Sequence, residues 1–137
     1  MKHCEKRKIL IIIPAYNEAE NIVNVVDNLL KNYDFLDYVV VNDGSKDNTA
    51  KICKEKNYNL VDLPINLGLA GAFQTGMKYA YYRDYDYALQ YDGDGQHNPE
   101  YIEGMVKHAE KNCLDIVIGS RFVTQKNLIR LEWQEIH

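Results

Sequence analysis

The sequence predicts an α/β domain, a mostly parallel sheet flanked by helices. Three observations carry that reading. Ile9-Leu10-Ile11-Ile12-Ile13 is continuously apolar, as expected of a strand covered on both faces. Further short apolar or β-branched runs then alternate with stretches of helical spacing, the pattern of parallel strands joined by helical crossovers. Polar clusters follow three of the strands, at the end of such a sheet where ligands bind.

Taken in order, the first strand ends at Pro14, and a helix is expected after it. Asn17 is its expected cap, Glu20 lies three residues on, and Ile22, Val25, Val26, Leu29 and Leu30 form its apolar stripe. Tyr38-Val39-Val40-Val41 reads as a second strand that runs into the turn Asn42-Asp43-Gly44-Ser45. Ser45 or Asp47 can cap a shorter helix reaching toward Lys56, with Ala50 and Cys53 inward. Asn59–Leu63 is a third strand, stopped by Pro64.

From Gly68 to Tyr81, Leu69, Ala72, Phe73, Gly76, Met77 and Ala80 have helical spacing, and small residues in the first turn permit close approach. Tyr87–Tyr91 reads as a strand leading into Asp92-Gly93-Asp94-Gly95. Asn98 and Pro99 open a helix with Ile102, Met105, Val106 and Ala109 inward, and Leu114–Ile118 is a last strand.

Composition narrows the function classes. The chain has 137 residues, 46% apolar and 26% charged, the balance of a globular protein of one domain. Twenty acidic against sixteen basic side chains give a net charge of −4, which speaks against generic nucleic-acid binding. Cys4, Cys53 and Cys113 are widely spaced without a CxxC pair, so reduced thiols and a cytoplasmic location are expected. Lys2, Lys6, Arg7 and Lys8 precede an apolar run too short for a secretory leader, and no stretch is long enough to cross a bilayer. A peripheral place at the inner face of a membrane, through that basic segment or a membrane-protein partner, stays compatible with this.

Asp92 and Asp94 are the most informative pair. Alternate carboxylates on an extended turn can converge on a hard divalent cation, and magnesium or manganese would leave positions open for a diphosphate. An ordinary turn reads equally well from these residue types. Calcium fits worse: Asp92, Asp94 and Glu103 have EF-hand spacing, but His97 stands where that loop requires glycine. GxxxxGK[ST] is absent, and Pro14-Ala15-Tyr16-Asn17 carries no glycine, which removes the P-loop and dinucleotide-binding readings.

Five stretches together resemble glycosyltransferase family 2, in its dolichyl-phosphate-mannose-synthase-like branch. They are Ile11–Glu18, Val41–Thr49, Asn66–Ala72, Asp92–His97 and Gly119–Phe122, in matching order across nearly the whole chain. The resemblance implies a GT-A fold, Rossmann-like and nucleotide-sugar-binding, over residues 1–122, with an atypical tail at 123–137 expected to be poorly ordered. It implies a metal-dependent, inverting transfer from a UDP- or GDP-sugar to a lipid-phosphate or saccharide acceptor.

By position, Pro14, Ala15, Tyr16 and Glu18 would line the nucleoside pocket, Asp43 would bond the base, and Gly71 would approach the donor. Asp92 would contact ribose or metal, Asp94 and Gln96 would ligate Mg²⁺ or Mn²⁺, and Arg121 would meet phosphate near the acceptor. Asp94 and Arg121 are thus the expected catalytic residues. Family members often carry aspartate at position 42, and asparagine there is expected to change little.

Residue chemistry agrees with these roles. A carboxylate accepts imide or amide protons of a base, and a guanidinium fork matches phosphate oxygens. Blander roles stand beside them: Glu18 favouring a helix N-terminus, Asn66 serving its turn, and Gly68, Gly71 and Gly76 serving helix packing. The tail lacks the family's usual acceptor-side pattern, so a non-catalytic nucleotide-sugar-binding module is the second reading.

Overall fold

The computed structural model describes residues 8–33, 36–91 and 100–113. The chain divides into two units, Met1–Asn98 and Pro99–His137. The first contains β1 (Ile9–Ala15), α1 (Ile22–Asn32), β2 (Asp37–Asp43), α2 (Thr49–Glu55), β3 (Leu60–Leu63), α3 (Gly68–Tyr82) and β4 (Tyr87–Gln90). Of the second, α4 (Glu100–Asn112) is described; it buries Val106 and Ala109, and the Asn112 amide bonds the His108 carbonyl at 3.1 Å. The expected strand at 114–118, the boundary near 122 and the tail at 123–137 lie outside the described residues.

The four strands of the first unit are parallel and ordered β3-β2-β1-β4. From β1 the chain steps outward to β2 and β3, then returns across the sheet to β4. Right-handed crossovers therefore place α1 and α2 on one face and α3 on the other. The order reverses between β1 and β4, so their carboxyl ends flank the crevice where sheets of this kind bind ligands.

The apolar run of β1 explains its central place. Leu10, Ile11, Ile12 and Ile13 are all fully buried, with side chains alternating between the two faces. On one face Leu10, Ile12, Val39 and Val41 form a core with Ala72 and Ala80 of α3. On the other, α1 offers the buried stripe Ile22, Val25, Val26 and Leu29.

Several local expectations change. Asn17 does not cap α1: it adopts a left-handed conformation, φ 53°, and the helix starts five residues later, behind Asn21. Leu30 stands 39% exposed beside the stripe rather than within it. In α3, Leu69 and Met77 face solvent, while Ala72, Gly76 and Ala80 make the buried line at every fourth residue.

Close approach explains that choice. A Cβ at Gly76 would lie 2.4 Å from Ile12 Cγ2, so α3 rests directly on β1 and has no room for large side chains there. Gly76 thus takes the packing role. Tyr81 and Tyr82 point outward with Met77, whereas Tyr85 donates its hydroxyl to Asp37 at 2.7 Å and Tyr91 is buried. Burial and the neighbouring Asp37 carboxylate push the Tyr85 phenol up to about 12.

Gly76→Ala tests this contact. A methyl forced against Ile12 should cost about 1–3 kcal/mol despite alanine's better helix propensity. Urea denaturation should show that loss, and in an Ile12→Ala background, which lacks all three atoms the methyl would meet, the added cost of Gly76→Ala should be smaller.

Candidate functional site

The loops after β1, β2 and β3 meet at the carboxyl end of the sheet. Register sets the meeting: Ala15 lies beside Asn42, and Asp43 beside Leu63. Beyond those pairs the chain makes side-chain rather than ladder hydrogen bonds.

The first contact joins the β1 and β2 loops. Asn17 donates its backbone N–H to Ser45 Oγ at 2.9 Å, and its side-chain oxygen accepts the Lys46 N–H at 2.8 Å. The left-handed turn at Asn17 allows this reciprocal pair, and asparagine adopts that conformation more readily than most residues. Glu18 N–H donates to the Thr49 hydroxyl at 3.0 Å, and Ala19 N–H to Asp47 Oδ2 at 3.1 Å. Asp47 also accepts the Thr49 N–H at 3.0 Å, so it bonds the first residue of α2, although Asn48 rather than Asp47 or Ser45 stands at the N-cap.

The second contact joins the β2 and β3 loops. Asp43 is 3% exposed, and its Oδ1 accepts the Leu67 N–H at 2.7 Å. Asn66 spans the same junction, donating from its side chain to the Asp43 carbonyl at 3.1 Å and accepting from Gly68 N–H at 3.1 Å. Asn66 thus serves its turn. Gly44 sits between the loops with φ +66°, and a Cβ there would lie 2.4 Å from the Asn66 nitrogen. Both conformation and space demand glycine at that position.

Among the expected nucleoside-pocket residues, Pro14 is half-buried at the end of β1, Ala15 is buried, and Tyr16 is 43% exposed directly beyond. Glu18 is half-buried; its carbonyl accepts the N–H groups of Asn21 and Ile22, and its carboxylate lies 3.4 Å from the Asn21 amide. Gly71 lies half-buried in the first turn of α3, where a Cβ would meet the Leu67 side chain at 2.6 Å. Asp92, Asp94, Gln96 and Arg121 lie outside the described residues. Among the described residues, no three His, Cys, Asp or Glu side chains stand together as metal ligands.

Charge is tuned around these loops. Desolvation alone would raise the Asp47 carboxyl, but hydrogen bonds from Thr49 and Ala19 outweigh it and hold it below the usual range. Asp62 is held low as well, by the Asn42 amide and then by Lys54, whose ammonium lies 3.0 Å away. Among the described cysteines, Cys53 and Cys113 are free thiols, and burial pushes the Cys53 thiol up. No helix among the described residues is long and apolar enough to cross a membrane.

A parallel sheet flanked by helices, with side-chain hydrogen bonds joining the loops at its carboxyl end, defines a doubly wound type of α/β protein. The family model for glycosyl transferase family 2 matches residues 10–137, and the chain belongs to that family.

The UDP-N-acetylglucosamine–dolichyl-phosphate N-acetylglucosaminyltransferase of Methanococcus voltae is 39% identical over 135 residues, covering 86% of this chain and 53% of the relative. The polyprenol monophosphomannose synthase of Mycolicibacterium smegmatis is 27% identical over 136 residues, covering 95% of this chain and 51% of that protein. The crystal structure of Staphylococcus aureus TarS residues 1–349 superposes with a TM-score of 0.59 at 25% identity, over 76% of this chain and 32% of that one. The architecture is thus the expected GT-A fold. The chain spans about half the length of the curated relatives named here.

The sequence reads Asn17 and Ser45 as helix caps and assigns Thr49 no role, because the contact they make is nonlocal: residues about thirty apart in sequence meet between two loops. Asp47→Asn tests its electrostatic side. The Asp47 carboxyl is depressed from 3.8 on folding, so its stabilisation is present above 3.8 and is lost as pH falls through the lower folded value. The wild-type urea midpoint should exceed that of Asp47→Asn at pH 7, and the gap should close in acid.

Proposed function

We propose that this chain binds a UDP- or GDP-sugar and supplies the donor side of an inverting sugar transfer to a lipid phosphate or a saccharide. The observation that carries the reading is the buried Asp43 at the carboxyl end of β2. The Leu67 N–H holds one of its oxygens, and the second has no hydrogen bond among the described residues. A carboxylate fixed in this way can accept the imide or amide proton of a uracil or guanine base. Tyr16, exposed at the end of the neighbouring strand, offers an aromatic face to that base, with Pro14, Ala15 and Glu18 beside it. Gly71 would let the first turn of α3 approach the donor.

Asp92, Asp94 and Gln96 are the proposed ligands of Mg²⁺ or Mn²⁺, an all-oxygen donor set suited to hard cations. Such an ion, when bound, would neutralise charge on the diphosphate. Arg121 is the proposed phosphate contact near the acceptor, its guanidinium fork matching the oxygens.

The names of two relatives favour a lipid-phosphate acceptor, and one favours UDP-N-acetylglucosamine as donor. A lipid phosphate is already an anion at neutral pH and can attack the anomeric carbon without a general base, whereas a sugar hydroxyl would require one. Membrane attachment would come through the acceptor or a membrane-protein partner at the cytoplasmic face.

Thermal stabilisation tests the reading. At a hundredfold excess over its dissociation constant, a true donor adds roughly 2.7 kcal/mol and raises the midpoint by several degrees. UDP-N-acetylglucosamine or GDP-mannose should do so with Mn²⁺, and Asp92→Ala with Asp94→Ala should abolish the shift. An unchanged shift in that double variant would remove the metal assignment. A transfer assay separates the two readings, because a pure binding module shows the shift without turnover.

A further inference from the structure

Asn42 is a polar side chain only 2% exposed, and both ends of its amide are engaged. Its Nδ2 donates to Asp62 Oδ1 at 2.8 Å, and its Oδ1 accepts the Ser45 hydroxyl. Asp62 receives Lys54 on its other oxygen, and Ser45 Oγ receives the Asn17 N–H. One run of bonds therefore passes from α2 through β3 and β2 to the loop after β1.

Its polarity is fixed at each step. The Ser45 proton needs an acceptor at position 42, and the Asp62 carboxylate needs a donor there. A primary amide meets both needs. A carboxylate meets only the first.

We propose that Asn42 and Asp62 form a matched amide–carboxylate pair that positions the donor-site loops, through Ser45 onto Asn17 and through the adjoining backbone onto Asp43. The effect on donor binding rests on the nucleotide-sugar reading above; the pairing itself stands on the hydrogen bonds. On this proposal aspartate and asparagine at residue 42 are not equivalent in this chain, contrary to the expectation from the resemblance.

Aspartate at 42 would set two carboxylates at hydrogen-bonding distance, one at a buried position and the other on Asp62, which is 36% exposed, and the pair could not both stay ionised without repulsion. The groups facing the pair are Ser45 from the β2 loop and Lys54 and Cys53 from α2. Lys54 is 64% exposed and already engaged with Asp62, so solvent screens the one facing cation. At neutral pH the two carboxylates would part. As pH falls, one shared proton would restore a donor and close the bridge again.

The experiment compares Asn42→Asp, Asp62→Asn and the double exchange in the full chain at pH 7 and pH 5. NMR hydrogen exchange, corrected for intrinsic rates, follows the Asn17 and Leu67 amides, which bond Ser45 and Asp43. Calorimetry with Mn²⁺ and either UDP-N-acetylglucosamine or GDP-mannose follows donor affinity.

Asn42→Asp should speed exchange at both amides about tenfold at pH 7, less at pH 5, and weaken donor binding by a similar factor. Asp62→Asn should stay within about threefold of wild type, because an amide still offers an acceptor to Asn42. The double exchange, which restores one amide and one carboxylate, should return to within about threefold.

Unchanged protection in Asn42→Asp, or a double exchange no better than Asn42→Asp, would overturn the proposal. Should Asn42→Asp fail to fold, folding of the double exchange supports the pair, and its failure counts against it. A wild type that binds neither donor defeats the nucleotide-sugar reading, and the exchange data still decide the pairing.

Discussion

The candidate site depends on one interaction: where the ladder of β1 and β2 ends, backbone groups of the two loops are satisfied by side chains across the gap between them. Asn17 does so in both directions with Ser45 and Lys46, and Glu18 and Ala19 continue the contact onto Thr49 and Asp47. The Glu18–Thr49 bond is part-buried, where an unmet N–H would cost about 1–3 kcal/mol; the Asn17 and Ala19 bonds lie at the surface, and together the four hold the loops to each other as well as to the sheet. Tyr16 and Asp43 inherit their positions from that junction.

The sheet beneath supplies a rigid base. Isoleucines on both faces of β1 fill the core, and α3 can lie directly on that strand because Ala72, Gly76 and Ala80 present almost no side chain. The same helix begins immediately after the loop that bonds Asp43. Close packing of α3 and the setting of the Asp43 carboxylate are therefore linked through a few residues, Asn66 to Gly68.

Much of this was legible in the sequence, for physical reasons. The continuous apolar run at Ile9–Ile13 can only be a buried strand or a buried helix segment, and Pro14 with the following polar residues decides for the strand. The carboxyl-end clusters announced the site, since Asp43, Gly44 and Ser45 follow β-branched residues directly. Roles fixed by tertiary contact were less visible. Asn17 reads as a helix cap by composition, but its side chain is drawn to the β2 loop and α1 begins later. Leu69 and Met77 fit an apolar stripe by spacing, yet Gly76 lets Ile12 fill the inward face and turns them to solvent. Asn42 looked interchangeable with aspartate, because nothing local reveals Asp62 twenty residues away.

If the loops after β1, β2 and β3 form one donor-binding body, amide NMR during a UDP titration with Mn²⁺ will show them responding as one. The Asn17, Glu18, Asp43 and Leu67 resonances should move together along one binding curve, with Asp84, Tyr85 and Asp86 at the opposite end of the sheet unmoved. Shifts confined to that opposite end, or separate curves for the three loops, would contradict it.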